Sequence, residues 1–332
     1  MKIYTRIGKS KLMDYHIDEK GIIYDKVKYH TRKKHVFLKG YLDIRVERVK
    51  HKSPTLDIFD LYASTGLCYC EEAEITGLSE VTWDGSAIIA AKALQQYSKG
   101  RLLFLNTYNE IEKIKQAQKN NLFALLKKLD FKNPCVLISS PIEDAVNEAS
   151  KHVDPRYPSL WVLDPCAASD LPWHIVEKIG KMRATYEYNG EMRTRKPELI
   201  ISLMTEDLQR FVDIRPDIIC SSLGMDEKEW RPKFDELRRK GLNTRQAMVE
   251  LYAEKLSGLY EKPPILAAEI NITNESAIAY CILLLTDSPA GHYITKLKLL
   301  PEFKQWEISE WRLNARQITA ELKRDPAQKT LF

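Results

Sequence analysis

No apolar run in the chain approaches the roughly 18–20 residues that span a bilayer, so a membrane helix is not expected. The opening MKIYTRIGKSKLMDYH has no apolar h-region, which argues against a secretory signal. Cysteine is sparse: six are scattered over 332 residues. A disulfide framework is therefore not expected, and a reducing, cytoplasmic setting suits the chain better. Cys68 and Cys70 form a C-x-C pair with no C-x-x-C or close His-x-His beside it, so buried thiols are expected there and no metal. Internal repeats and low-complexity tracts are missing, which sets solenoids and disordered linkers aside.

What is present suits a packed α/β protein. The chain is 44% hydrophobic and 29% charged, enough for a sizeable core in one large domain or two small ones. The net charge of +5 is uneven: residues 1–50 hold 14 Lys/Arg against 6 Asp/Glu, and the remainder sums to −3. KVKYHTRKKH (Lys26 to His35) is the densest basic stretch. It is either a solvated face or a surface for nucleic acid or another polyanion.

Thr31 to Val49 reads as an amphipathic helix, with Leu38, Leu42, Val46 and Val49 on one stripe and Phe37 and Tyr41 beside it. Gly40 interrupts the pattern at a cost of about 1 kcal/mol against alanine. After this, strand-length apolar runs alternate with helical stretches. The runs are TLDIFDLYA, RLLFLN, PCVLISS, LWVLDP and ELIISLMT. Five such units predict a doubly wound parallel sheet with helices on both faces. ILAAEINI and AIAYCILLL are separated only by TNES, too short for a crossover, so they should form an antiparallel hairpin and bring the sheet to seven strands. The expected order is 3-2-1-4-5-7-6. Asn189-Gly190 inside TYEYNGEMRTR (185–195) predicts a type I′ hairpin at the edge where strands begin. The expected organisation is a basic N-terminal helical segment (1–50), a Rossmann-type domain (51–300) with a charged helical insertion (226–258), and a C-terminal helical tail (301–332). The insertion leaves from the edge where ligands bind, so a lid is one reading of it.

Three loops should meet at the carboxyl edge. DLYASTGLCYC (Asp60 to Cys70) follows the first strand, where such folds bind nucleotides, although only Gly66 is glycine. Asn106 ends the second strand where an acidic ribose ligand commonly stands, and Glu110 lies about one turn on. Asp164 and Pro165 end the fourth strand beside the first. A carboxylate there can hold an amine or take a proton, and Trp173 can stack on a flat ligand. The structural alternative has Asp164 capping a helix and Trp173 in the core. Nothing near Asp164 in sequence pairs with its charge, so its removal is expected to affect function more than folding. His292 stands alone and reads as a surface residue.

In their order and spacing these motifs resemble the three-Cys-motif partner protein family (TcmP), over nearly the whole chain. The matching stretches are TRKKHVFLKGYL, DLYASTG, GSAIIA, DPCAASDLPW, ELIISLMTEDLQRF and YCILLLTDSPAGHYITK. The resemblance implies a class I S-adenosylmethionine (SAM) methyltransferase-like sheet and a partner bearing three cysteines in a radical-SAM-like arrangement. On that reading SAM lies across Asp60, Tyr62, Ala63, Ser64 and Gly66, with Asn106 toward the ribose and Ser140 near the adenine. Asp164 and Pro165 orient an acceptor, with Trp173 as the nearest aromatic. The acceptor is expected to be nucleic acid or a modified nucleotide. The chain departs from the family at four places. Ser64 replaces the first loop glycine, Thr65 a proline, Cys166-Ala167 a Phe-Gly, and Asn106 an acidic residue. The alternative is a non-catalytic methyltransferase-fold module that scaffolds a partner.

Overall fold

The computed structural model describes residues 15–52, 56–96, 101–154, 156–188, 190–271 and 278–324. In chain order the first strands are β1 (Tyr15–Ile17), β2 (Ile23–Lys26), β3 (Asp57–Asp60), β4 (Leu67–Tyr69) and β5 (Thr82–Asp84). Then come β6 (Leu103–Asn106), β7 (Cys135–Ile138), β8 (Ser159–Leu163), β9 (Ala184–Tyr188) and β10 (Glu191–Arg195). The last are β11 (Glu198–Leu203), β12 (Ile265–Asn271) and β13 (Ile278–Leu285).

The main sheet has seven strands in the order β12-β13-β11-β8-β3-β6-β7. β11, β8, β3, β6 and β7 run parallel, and β13 is antiparallel to both its neighbours. Order and sense are those expected. β3 and β8 lie side by side and parallel, and successive strands are added outward on either side of them, so the switch point of the sheet lies between them.

Consecutive strand residues feed opposite faces, as the period of two demands. Ile58, Leu103 and Leu160 belong to one core with Phe37, Leu38 and Leu42 of the Thr31–Lys52 helix. Their neighbours Phe59, Phe104 and Trp161 belong to the other. There Phe59 stacks on Trp161, with ring centroids 4.3 Å apart and planes 12° from parallel. Gly40 has a packing reason: a Cβ on it would come within 2.8 Å of Leu299 Cδ1.

The N-terminal stretch is more than a helix. β1 and β2 form a hairpin, and β2 pairs parallel with β4 to make a second sheet, β1-β2-β4-β5. The sequence reading missed it because strands of three and four residues are too short to show a period. The predicted 185–195 hairpin is present as β9 and β10, with Tyr188 opposite Glu191 and β11 directly following. The 226–258 insertion forms two helices, Glu227–Arg239 and Thr244–Ser257. It is anchored, not hanging free: Trp230, Met248, Leu251 and Tyr252 are buried in the core on the Trp161 face.

One buried carboxylate locks the N-terminal helix to the sheet. Glu198 opens β11 and is only 5% exposed. It accepts hydrogen bonds from Tyr41 Oη (2.8 Å), Arg45 Nε (3.0 Å) and Nη2 (3.1 Å), and Thr286 Oγ1 (2.9 Å). Glu198→Ala would leave the Arg45 guanidinium without this partner. Breaking such a pair costs about 3–5 kcal/mol when fully buried. Urea denaturation should show a loss toward the lower end of that range, because Arg45 retains some solvent contact. A loss under about 1 kcal/mol would mean the helix is held by its apolar stripe alone.

Candidate functional site

A cavity of about 590 Å³ opens at the carboxyl edge of the main sheet. Its walls are the segments that follow four parallel strands. Leu61, Tyr62 and Ser64 follow β3; Asn106, which ends β6, is continued by Tyr108, Asn109 and Glu110. Pro141, Ile142 and Glu143 follow β7, and Cys166, Ser169, Asp170 and Pro172 follow β8. Ile114 and Gln118 reach it from the Glu112–Lys128 helix, and Tyr15 from β1. Tyr62 ties two walls together by donating from its hydroxyl to the Asp170 carbonyl at 2.6 Å.

The expected binding residues divide into two groups. Tyr62, Ser64 and Asn106 line the cavity. Asp60 and Ala63 are buried beneath it, and Gly66 packs against Leu122 and Ile88. Asn106 is not free for a ribose: its amide donates to the carbonyls of Leu61 (3.2 Å) and Ser140 (3.1 Å) and accepts from the Ser140 amide (3.0 Å). Asn106 and Ser140 thus brace the ends of β6 and β7. An uncharged amide at this position supplies both a donor and an acceptor, which suits bracing. Glu110 remains at the rim, in reach of the same wall.

The loop after β3 explains its missing glycine. Ser64 adopts a left-handed φ of 45°, the conformation a glycine takes without strain, and Gly66 follows at 83°. What holds Ser64 there is hydrogen bonding. Its hydroxyl donates to Asp25 at 2.7 Å and accepts from Gln118 Nε2 at 3.1 Å. Thr65 adds its hydroxyl (3.0 Å) and its amide (3.3 Å) to Asp25. The loop's amides are largely spoken for, since Tyr62 N donates to Asp60 and Ala63 N to the Asn106 carbonyl. A loop so committed is a poor phosphate cradle. Asp25 was invisible to the sequence reading because it comes from β2, across the small sheet.

Two of the expected catalytic residues are placed differently from the sequence reading. Trp173 is 4% exposed, sits edge-on to Tyr252 at 5.7 Å and presses against Gly224. It is a core residue and cannot stack on a ligand. Asp164 is paired: Lys34 Nζ lies 2.5 Å from its carboxylate, and neither side chain is more than 20% exposed. Burial pushes the Asp164 carboxyl up, but the Lys34 charge and hydrogen bond more than offset this and hold it below its ordinary value. The same contact holds Lys34 protonated against its own burial. Pro165 is buried, and neither it nor Asp164 lines the cavity.

Four of the five Lys/Arg of the basic stretch are likewise paired with carboxylates. Arg32 makes a two-pronged pair with Glu80, Lys26 meets Glu71 at 3.1 Å, and Lys34 meets Asp164. Lys33 is fully buried, bonded to Glu307 and 3.7 Å above the centre of the Trp311 ring. His35 accepts from Trp83 Nε1 at 2.9 Å, and burial lowers its pKa to about 3. Arg32, Lys33 and Lys34 therefore serve the fold, and their charges do not form an open phosphate-facing surface. This corrects the expectation for them.

The cavity's own charge is one-sided. Glu110, Glu143 and Asp170 line it, and no Lys, Arg or His is among its described lining residues. Gln118 is 3% exposed and its Oε1 accepts no hydrogen bond within the described residues. No three His, Cys, Asp or Glu side chains gather to hold a metal among the described residues. No helix among them is long and apolar enough to cross a membrane. Comparison with family models, with curated proteins and with solved structures returns no match.

Two outcomes are expected. Asp164→Asn leaves Lys34 charged and half-stranded, so the melting temperature should fall clearly; the double change Lys34→Met with Asp164→Asn should recover most of it. An Asp164→Asn protein melting with the parent would show the pair to be idle. The second concerns pH. Burial raises Asp25 to about 6, with the Ser64 and Thr65 hydrogen bonds opposing, and burial raises Asp60 to about 6 as well. A carboxyl raised in the folded state binds its proton there more tightly than in the unfolded chain. Its stabilisation is full below about pH 4 and is lost as pH rises through 6. Asp164, held low, works the other way and only below its ordinary value. Asp25→Asn should therefore flatten the fall in melting temperature between pH 4 and 7, and a parental slope would rule Asp25 out as its source.

Proposed function

We propose that the chain is a SAM-dependent methyltransferase-like protein that holds SAM in the carboxyl-edge cavity. The observation that carries this is the cavity's charge: three carboxylates and no basic group, at the switch point of a doubly wound sheet. SAM brings a sulfonium and an ammonium against one carboxylate, a net positive charge, and its adenosine is flat. Dinucleotides bring phosphates, which three carboxylates repel. The seven-stranded order with its antiparallel β13 agrees with the methyltransferase type of sheet.

The residues present fit such a ligand. Gln118, a lining residue, has an Oε1 with no partner among the described residues, Glu110 can take ribose hydroxyls in place of the committed Asn106, and Tyr108, 45% exposed, offers a ring at the rim. The cavity's volume lies in the range of small-ligand sites, about 300–1,000 Å³. SAM when bound supplies an electrophilic methyl group. The chain's part is to hold the donor, and Tyr62 with its bond to Asp170 keeps two walls of the cavity in place. Nucleic acid or a modified nucleotide as acceptor, the three-Cys-motif partner and a cytoplasmic setting rest on the resemblance and the composition.

A specific observation favours the second reading, a binding module without turnover. In amino-directed methyltransferases the acidic-proline loop holds the acceptor's amine, and here Lys34 places this chain's own amine on Asp164.

Calorimetry with SAM tests the binding claim. Saturable binding is expected, weaker by roughly tenfold for S-adenosylhomocysteine, which lacks the sulfonium charge, and for Gln118→Leu. No saturable heat, or tighter binding of NAD than of SAM, would sink it. Binding of SAM without transfer of a labelled methyl to RNA or DNA, alone or with the partner, would decide for the module.

A further inference from the structure

The C-terminal helical region is apolar on two opposite sides. Five segments join end to end from Pro289 to Arg324: α-helical Pro289–Ile294, Leu300–Trp306 and Arg312–Arg324, with π-helical turns Thr295–Leu299 and Glu307–Trp311 between them. One row packs inward. Thr295, Leu299, Phe303, Trp311, Ala315 and Ile318 are buried. Leu299 and Phe303 join the core of the Thr31–Lys52 helix, and Trp311, Ala315 and Ile318 join a smaller core with Tyr29 and Trp83. A second row faces outward. Tyr293, Leu297, Ile308 and Leu313 are 51–62% exposed, and Pro301 is exposed between them.

Single exposed apolar residues are ordinary, but an aligned row is not. Tyr293, Leu297 and Pro301 follow one another at four residues, Ile308 comes seven on and Leu313 five on. The inner row makes the same step of five, from half-buried Trp306 to Trp311. In a regular α-helix five residues overshoot one turn and would carry a side chain off its row. The Glu307–Trp311 turn bonds residue i to i+5, so it keeps both rows in line at once. The flanks of the outer row differ in charge. Lys296 and Arg312 stand one position before a row residue, and Lys304 lies three after Pro301 and four before Ile308, which puts all three on one flank. Glu302 and Glu310, one and two positions after a row residue, lie on the other flank with Lys298. All six are exposed, and none makes an ion pair among the described residues.

We propose that this outer row is the interface through which two copies of the chain pair, their C-terminal helices side by side and parallel. Charge selects both the partner and the direction. In a parallel pair the basic flank of each helix meets the glutamate-bearing flank of the other; in an antiparallel pair it meets its own kind. Lys296 precedes Glu302 by six residues, and Lys304 precedes Glu310 by the same six. One register therefore serves both pairings, across about 9 Å of helix axis that two extended side chains span. Lys298 opposes this in part, and the two glutamates outnumber it. Exposed ion pairs add little affinity but fix orientation. The apolar row supplies the rest, over about 30 Å from Tyr293 to Leu313. A two-helix contact of that length is at the small end for stable interfaces, so the pairing is reversible. An anionic membrane would meet both flanks at once, and the glutamates oppose it. No residue of this helical region lines the carboxyl-edge cavity, and the proposal does not depend on the SAM reading.

Sedimentation equilibrium of the full chain tests this. The parent should show a monomer–dimer equilibrium with no larger species, because a twofold interface closes on itself. Leu297→Gln with Ile308→Gln alters exposed side chains only, so it should keep the parental circular dichroism and weaken the dimer at least tenfold. Phe123→Gln, at an exposed aromatic on the Glu112–Lys128 helix, should leave the dimer unchanged. Lys304→Glu should weaken pairing a few-fold, and adding Glu310→Lys should restore it, since the swapped charges meet again across a parallel pair. Any of five results would overturn the proposal. The parent could stay monomeric to its highest soluble concentration, or its dimer could survive the apolar double variant. Lys304→Glu could strengthen the dimer, as antiparallel helices require, or the charge swap could fail to restore it. Last, a monomeric chain could bind phosphatidylserine vesicles through Leu297 and Ile308, which would make the row a membrane-facing surface.

Discussion

The Lys34–Asp164 ion pair governs how the carboxyl edge is used. Asp164 directly follows the central strand β8 beside the switch point, at the edge where ligands bind in such sheets. Here the Thr31–Lys52 helix delivers a lysine to it. Removing two charges from water is costly, and their attraction repays this only with close geometry. The neighbours raise the stakes. Asp60 lies close enough for Asp164 to raise its carboxyl further, and Lys34 stabilises the charge on Asp60 and Asp25 as well as on Asp164. One lysine cannot neutralise three buried carboxylates. The nearest keeps its charge, and the other two are driven toward the protonated form.

That division of charge shapes the cavity beside it. Asp25 accepts from Ser64 and Thr65, and Ser64 in turn accepts from Gln118. The chain of bonds runs from the small sheet, through the loop after β3, to the helix that lines the cavity. It holds a serine in a backbone conformation that costs roughly 1–2 kcal/mol for a residue other than glycine. A glycine here would be free of that strain but would carry no hydroxyl. The substitution exchanges conformational ease for a fixed loop. It also fixes Gln118, a lining residue whose Oε1 has no partner among the described residues.

How much of this could be read from the sequence follows from which contacts are local. The main sheet was legible, because apolar runs of strand length and a four-residue link leave few topologies. The carboxyl-edge loops were legible too, since they must follow the strands. Tyr62, Ser64 and Asn106 do line the cavity. The pairings were not legible. Lys34 and Asp164 are 130 positions apart, and Asp25 lies on β2 of the small sheet while Ser64 follows β3 of the main one. Trp173 misled because an aromatic following a strand end can point either way, and only the Gly224 contact shows that it turns into the core. Glu110 was noticed and Gln118 was not. A polar residue on an amphipathic helix gives no sign that its face is turned inward until the strands it covers are placed.

Charge shows the same divide between totals and placement. The N-terminal 50 residues hold the chain's basic excess, yet the cations at 26, 32, 33 and 34 are each paired with an acidic side chain from a distant segment. Charge density along a chain therefore says little about charge at a surface. A second basic stretch, residues 178–196, holds six Lys/Arg against two Asp/Glu, and four of its cations, Lys178, Arg183, Arg195 and Lys196, line one cavity where the strands begin. The pairing of β9 with β10 sets Arg195 opposite Ala184 at the start of β9. Folding thus sets distant carboxylates against the cations of the basic stretch, and it cancels the charge where the sequence shows it most densely.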